Sequence, residues 1–365
     1  MSSEPDPRFG SSDHSSSSVQ GPSASGPSRR RFLKTLAVSG AGAGVLSAAD
    51  AHAGSEDGAF QFVHLTDMHV RRARRGDEGY RACVDSVNAL DPRPDLVLMG
   101  GDMAFDGLYT EKDEFADQID LFESISDELE MPYYECIGNH DALGLNPRRK
   151  VPTDDPDLGK TMIMDRLGMD RSYYSFDHKG WHFVMLDTIY RVEADHGPGY
   201  VPRIGDEQLD WLRFDLGEAW PKPTVAVMHI AAFHNRGQID GDEDLPSMHG
   251  RVIEDTRALR HVLERHNVKA VLQGHSHIVE DYYYNGVWYV TSQAVSGAWW
   301  GGNWHGFEPG YTVFTANGEE LTWTRHTFDW THHLEPDDHL ERSRIIEQLQ
   351  HEREQDELAA TERES

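Results

Sequence analysis

The sequence predicts a layered fold of the α/β or α+β class, and three of its features carry that prediction. Short apolar runs recur through residues 58–330, stretches of helical period lie between them, and a turn signal near the end joins two alternating runs. The runs are "FQFVHL" (60–65), "DLVLM" (95–99), "YYECI" (133–137), "HFVML" (182–186), "TVAVM" (224–228), "KAVLQ" (269–273), "VWYVT" (287–291) and "YTVFT" (311–315). Each is nearly continuous in apolar residues and too short for a helix, as expected of a strand buried on both faces. "EGYRACVDSVNAL", "TEKDEFADQIDLFESI" and "EDTRALRHVLERH" are amphipathic, which suits helices lying on a sheet. Asn317-Gly318 separates the two alternating halves of "YTVFTANGEELTWTRHT", the residue pair a tight hairpin favours. No fixed-period repeat and no Pro/Ser-rich linker interrupts 58–330, so this span is expected to form one domain. Residues 335–365 are densely charged with few apolar anchors, and a charged tail in the form of a solvated or frayed C-terminal helix is expected there.

Residues 1–53 belong to a different class. Residues 1–28 are rich in Ser, Pro and Gly and lack an apolar period, a composition that stays disordered. Ser28 to Lys34 then brings Arg29, Arg30 and Arg31 before Phe32-Leu33, and a modestly apolar stretch comes next that ends in Ala51-His52-Ala53. A basic start, a short apolar stretch and a small-x-small ending describe a removable export signal. The paired arginines with Phe-Leu-Lys resemble the twin-arginine signal, an address read by the export machinery. No later stretch reaches the roughly 18 apolar residues that a membrane span needs. The expected product is soluble and located in the periplasm or outside the cell.

Net charge is −29, from 63 acidic and 34 basic residues, and loss of residues 1–53 would leave −30. Such a surface repels phosphate backbones and argues against nucleic acid as a partner. Only 7 of the basic residues are Lys, and a Lys-poor acidic surface stays hydrated at high salt, so adaptation to salt is expected. Cys83 and Cys136 are too few for a disulfide framework, and both sit in apolar segments that favour buried thiols.

The residues that can do chemistry stand directly after the apolar runs. Thr66-Asp67-Met68-His69 comes after the first, Gly100-Gly101-Asp102 after the second, with Asp106-Gly107 four residues on, and Gly138-Asn139-His140-Asp141 after the third. His229 comes after "TVAVM" and Gly274-His275-Ser276-His277 after "KAVLQ". Ligands of open sheets bind beyond the carboxyl ends of the strands, where such loops converge. Glycines at 101, 138 and 274 allow sharp turns close to a bound group. Asp67, His69, Asp102, Asn139, His229, His275 and His277 offer oxygen and imidazole donors without a thiolate, a set that suits Zn, Mn or Fe. They are too many for one tetrahedral ion and suit two divalent ions sharing a carboxylate.

In this chain order the motifs resemble those of the calcineurin-like metallophosphoesterases, over residues 60 to about 326. The resemblance implies an α+β four-layer sandwich, two packed mixed sheets flanked by helices. It implies that Asp67, His69, Asp102 and His277 hold one ion and that Asp102, Asn139, His229 and His275 hold the other, with Asp102 bridging. It implies that His140 is the unliganded histidine that stabilises phosphoryl charge and protonates the leaving oxygen. Asp106 is the candidate for orienting His140, although its spacing departs from the protein-phosphatase branch, whose asparagine motif also ends in Glu where this chain has Asp141. Phe105 stands where purple acid phosphatases place a ligating Tyr, which argues against that branch.

The implied activity is hydrolysis of a small phosphomonoester or phosphodiester by a hydroxide held between two ions, with cyclic nucleotides as one candidate substrate class. Phospholipid or sugar phosphates are the alternative substrates, and a non-catalytic metal-binding scaffold is the alternative class. "SGAWWGGNWHGFEPGY" (296–311) clusters Trp299, Trp300 and Trp304 and suits either stacking on a planar group or a satellite apolar cluster. His234 and Arg236 lie where they could meet phosphate or only solvent.

The export reading has a direct test. Replacing Arg29 and Arg30 together with Lys should strand folded, metal-loaded protein in the cytoplasm. Normal export of the double variant, read by cell fractionation, would leave Ser28 to Lys34 as no more than a basic tail.

Overall fold

The computed structural model describes residues 58–194, 197–235 and 250–333. The leader, Arg236 and the tail expected at 335–365 lie outside the described residues. The first half of the chain forms β1 (Phe60–Leu65), α1 (Gly76–Asn88), β2 (Leu96–Met99), α2 (Lys112–Ser126), β3 (Tyr133–Glu135), α3 (Thr161–Leu167), β4 (Tyr174–His178) and β5 (Trp181–Met185). Then come β6 (Ile189–Ala194), β7 (Gly197–Pro202), α4 (Asp206–Ala219), β8 (Thr224–Val227), α5 (Thr256–Leu263) and β9 (Val268–Gln273). Four strands complete the order: β10 (Glu280–Tyr284), β11 (Val287–Thr291), β12 (Tyr311–Asn317) and β13 (Glu320–His326).

Two mixed sheets result. The first runs β13-β12-β1-β2-β3 and the second β10-β11-β9-β8-β5-β4, while β6 and β7 form a separate ribbon. β1, β2 and β3 are parallel, as strands linked through α1 and α2 must be. β5, β8, β9 and β11 are parallel in the second sheet, and β12 and β13 form the antiparallel hairpin that Asn317-Gly318 predicts.

Strand period decides which residues meet. Phe60 and Phe62 of β1 enter one apolar cluster, and Val63 and Leu65 enter the other. The first cluster takes Leu96 and Leu98 from β2, Phe183 and Met185 from β5, and Val225 and Val227 from β8, so it is the layer between the sheets. Phe62 stacks on Phe314 of its own sheet at 5.1 Å and meets Phe183 of the other edge-on at 5.3 Å. The outer faces carry helices. α1 covers the first sheet, where Ser86 and Tyr311 share a 2.8 Å hydrogen bond, and Tyr80 stacks on Phe122 of α2. α4 covers the second, held by Asp215 against β5. The layers are helices, sheet, sheet, helices, which is the expected sandwich.

β4, β10, α3, α4 and the ribbon have no counterpart among the predicted segments. β10 reads "EDYYY" and β4 "YSFDH", each buried on alternate residues at most. Both are edge strands, which pair on one side only and need no continuous apolar run. Cys83 and Cys136 are free and buried, Cys83 on the helix side and Cys136 between the sheets, and burial pushes both thiols up. Among the described residues no helix is long and apolar enough to cross a membrane.

One buried imidazole ties α4 to the second sheet. His182 places Nδ1 2.8 Å from Asp177 and Nε2 2.9 Å from Asp215. Both ring nitrogens can donate only in the imidazolium form. Lys222 donates to Asp177 at 2.6 Å and Ser175 to Asp215 at 2.7 Å, which completes the cluster. Burial disfavours the charged ring, yet the hydrogen bonds to Asp177 and Asp215 outweigh it and raise the His182 pKa above 6.5. A raised folded pKa contributes stability that is full below the unfolded value and is lost as pH rises through the folded one. His182→Gln should therefore destabilise by about 1–2 kcal/mol at pH 6, at the lower end for charged hydrogen bonds because Asp177 is half exposed. Melting curves across a pH series should show the deficit narrowing by pH ~9. A constant deficit would refute the charged clamp.

Candidate metal centre

The seven candidate ligands meet at one edge of the sandwich, where β1, β2, β3, β8 and β9 end. Two clusters form there, Asp67 with His69 and His277, and Asp102 with His229 and His275, and the ligand atoms in each lie within 4.8 Å of one another. Asp102 lies between them. Its Oδ2 is 3.5 Å from His69 Nε2 of the first cluster and 3.1 Å from His229 Nε2 of its own. Asn139 joins the second cluster with Oδ1 3.2 Å from His229 Nε2. In the first, His277 Nε2 is 3.2 Å from Asp67 and 3.3 Å from His69 Nε2.

The backbone is bent to make this possible. Asp67, His69, Asp102, His275 and His277 all have positive φ, between 43° and 69°, a region costing non-glycine residues about 1–3 kcal/mol each. The bends persist because neighbouring loops interlock. Asp67 N donates to Gly101 O at 3.0 Å, His69 N to Asp102 O at 2.8 Å, and His275 N to the Asp67 carboxylate at 3.1 Å. Two glycines make the close approach possible. A Cβ at Gly138 would overlap Asp102, and one at Gly274 would overlap Thr66 and Asp67.

Each cluster histidine rests one ring nitrogen on a backbone carbonyl. His69 Nδ1 lies 3.0 Å from Phe105 O, His229 Nδ1 2.9 Å from Gly100 O, His275 Nε2 3.1 Å from Gly250 O and His277 Nδ1 2.5 Å from Gly297 O. A carbonyl accepts only, so each of these nitrogens carries the proton and the other ring nitrogen presents a lone pair in the neutral ring. In that neutral form the lone pairs of His69 and His277 face each other, an arrangement that a cation between them relieves. Outer hydrogen bonds of this kind are what fix metal-ligating histidines.

The charges agree. Burial lowers His69 and His275 to about 3, so these rings are neutral. Burial pushes Asp67 and Asp102 up, but the surrounding imidazoles, His277 for Asp67 and His229 for Asp102, hold both well down and ionised. Burial lowers His229, yet Asp102 and Asp67 outweigh it and raise the ring to about 9, so this ring holds a second proton that a bound cation would displace. Two buried carboxylates thus draw positive charge into the pocket, and the donor set of oxygen and imidazole fits divalent cations.

His140 belongs to neither cluster, and its ring meets that of His69 edge-on at 4.9 Å. Its side chain is 22 % exposed where Asp102 and His69 are at most 2 %, and its Nδ1 lies 3.2 Å from Asp106 Oδ1. Asp106 is itself held by backbone N–H of Leu108 at 2.8 Å. The His140 backbone N–H donates to Asp102 Oδ1 at 2.8 Å. Burial disfavours charge on the His140 ring, but Asp102 and then Asp106 raise its pKa above the usual value.

Sequence reasoning gave Asp141 no role, yet it accepts from Met103, Ala104 and Gly138 N–H, each at 2.9 Å, and so pins two ligand loops together. Burial and Asp102 push its carboxyl up to about 7, opposed by the Gly138 and Ala104 donors. The signal for it was an acidic residue three past a glycine, a capping pattern. His64 was also missed. It is buried beneath the clusters and joins the sheets through a 2.8 Å contact with Ser292. His234, which the sequence places near either phosphate or solvent, is buried.

Residues 60–279 match the family model described as calcineurin-like phosphoesterase. A probable cyclic nucleotide phosphodiesterase of Rhodococcus erythropolis is 26% identical over 223 residues, covering 59% of this chain and 64% of that protein. Another, from Synechococcus sp., is 28% identical over 224 residues, covering 58% of this chain and 74% of that protein. The solved structure of PhoD is similar with a TM-score of 0.47 and 14% identity, over 71% of this chain and 64% of that one.

The junction position of Asp102 makes it the residue on which both clusters depend. Asp102→Asn should lower manganese binding at both clusters together, measured by elemental analysis after dialysis. Two ions still bound per chain would refute a shared carboxylate.

Proposed function

The chain belongs to the calcineurin-like phosphoesterase family, and from that premise we propose that it is a metal-dependent hydrolase of phosphoric esters. The observation that carries the proposal is the position of Asp102, whose Oδ2 faces His69 of one cluster at 3.5 Å and His229 of the other at 3.1 Å. In this reading Asp67, His69, His277 and Asp102 hold one divalent ion, and Asp102, Asn139, His229 and His275 hold a second, the metals being Mn, Fe or Zn. When bound, such a pair supplies Lewis acidity toward phosphoryl oxygens and acidifies water.

The chain's own part is positioning and proton supply. Asp106 holds Nδ1 of His140 and leaves Nε2 for the substrate. His140 then donates a hydrogen bond to the phosphoryl group and a proton to the leaving oxygen. Asp106 is a positioning residue in this scheme, and Asp141 keeps the two loops in register. The substrate is a small phosphomonoester or phosphodiester, and the names of the two bacterial relatives support cyclic nucleotides as the first class to try. Export through Ser28 to Lys34 and a salt-adapted acidic surface belong to the same proposal.

A panel of phosphomonoesters and phosphodiesters, each with Mn, Fe and Zn in turn, tests it. No hydrolysis with any metal would sink it. His140→Ala should keep its metal while turnover falls roughly 10²–10⁴-fold. The loss should shrink for nitrophenyl esters, whose leaving group needs little protonation. An equal loss for good and poor leaving groups would remove the acid role.

A further inference from the structure

The glycine-rich segment 296–311 divides into a bolt and a platform. Trp300 is fully buried, donates Nε1–H to His69 O at 2.9 Å, and meets Trp330 edge-on at 5.1 Å. Its ring fills the space that a Cβ at Gly76 or Gly79 would occupy. Trp300 therefore registers the segment to the backbone of a cluster histidine. Trp299 and Trp300 both have positive φ, 49° and 70°, which non-glycine residues rarely adopt in succession. Arg71 secures the turn by donating to Trp299 O at 3.4 Å while its guanidinium lies 3.9 Å over the Phe105 ring.

The turn lays Trp299 along the metal cluster. Its ring lies 4.5 Å from that of His277 at 31°, and 5.7 Å from that of His69. Trp304 braces it edge-on at 5.1 Å, and Trp299 stays partly exposed. Beside it lie the carboxylates and imidazoles of the two clusters, and the partly exposed indole adds a flat apolar surface to them. An uncharged aliphatic phosphoester has no π-face to lay on such a surface, whereas a base offers one that stacks on it.

We propose that Trp299 is the stacking surface by which the site selects phosphoesters that carry a nucleobase. The inference rests on the phosphoesterase reading only for the placement of the phosphoryl group beside His69 and His277. Calorimetry on the full chain with manganese, using AMP and ribose 5-phosphate, tests it by binding alone. Wild type should bind AMP about tenfold or more tightly than ribose 5-phosphate. Trp299→Leu should abolish that preference, and Trp299→Phe should keep most of it. A wild-type preference below about threefold, where stacking predicts more, overturns the inference even if Trp299→Leu fails to fold. So does an equal loss of both ligands in a folded Trp299→Leu, which would make Trp299 only a support for His277.

Kinetics separates this inference from the reading beneath it. A base preference lost in Trp299→Leu, with no phosphoester hydrolysed, would keep the stacking surface and sink the phosphoesterase. Equal kcat/KM for cyclic AMP and for glycerophosphoglycerol, which has neither a base nor a cation, would do the reverse.

Discussion

The carboxyl edge of this sandwich is organised around one buried carboxylate. Asp102 is 2 % exposed, accepts the His140 backbone N–H on Oδ1, and turns Oδ2 toward His69 and His229. An ionised group so placed is tolerated only if positive charge surrounds it. That requirement dictates what the neighbouring loops can be. They must bring imidazoles within reach, they must come close enough for backbone N–H to share the load, and they must keep water's place filled by fixed dipoles.

The rest of the fold supplies the rigidity for this. Five of the candidate ligand positions are held in left-handed backbone conformations, which relax unless their surroundings over-determine them. The parallel strands end in register, so the loop after β1 continues pairing with the loop after β2 past the last regular residue. Asp141 binds the loop after β3 to the same assembly through two backbone donors, Met103 and Ala104 N–H. Below the site, Phe62, Phe183 and Phe314 lock the two sheets face to face, and His64 with Ser292 closes the top of that layer. Apolar packing thus fixes the distance between loops that come from different sheets, and the clusters inherit that distance.

The rim depends on the same backbone. Trp300 and Trp299 are neighbours in sequence but opposites in environment, one sealed into the helix-side core and one lying on the imidazoles. The same αL turn produces both outcomes, because it swings successive side chains to different sides of the chain. The backbone of the candidate clusters and the rim are therefore one mechanical unit, joined at the His69 carbonyl that accepts from Trp300.

Much of this was legible in the sequence by itself. Strands buried on both faces leave continuous apolar runs, and β1, β2, β8, β9, β11 and β12 all coincide with such runs. Ligand types and chain order were legible too, since Asp, Asn and His directly after a strand can only project from its carboxyl end. Edge strands such as β4 and β10 were not, because solvent on one face removes the constraint that writes a pattern. Nor was the grouping of ligands into an Asp67 cluster and an Asp102 cluster readable from order along the chain. Sequence spacing says which strand a ligand comes after, while the sheet order and the packing of one sheet on the other decide which strand ends are adjacent. The four-residue step from Asp102 to Asp106 left the orientation of His140 open. Its 3.2 Å contact with Asp106 exists because the loops after β2 and β3 close on each other, a contact between segments 34 residues apart that only the folded chain makes.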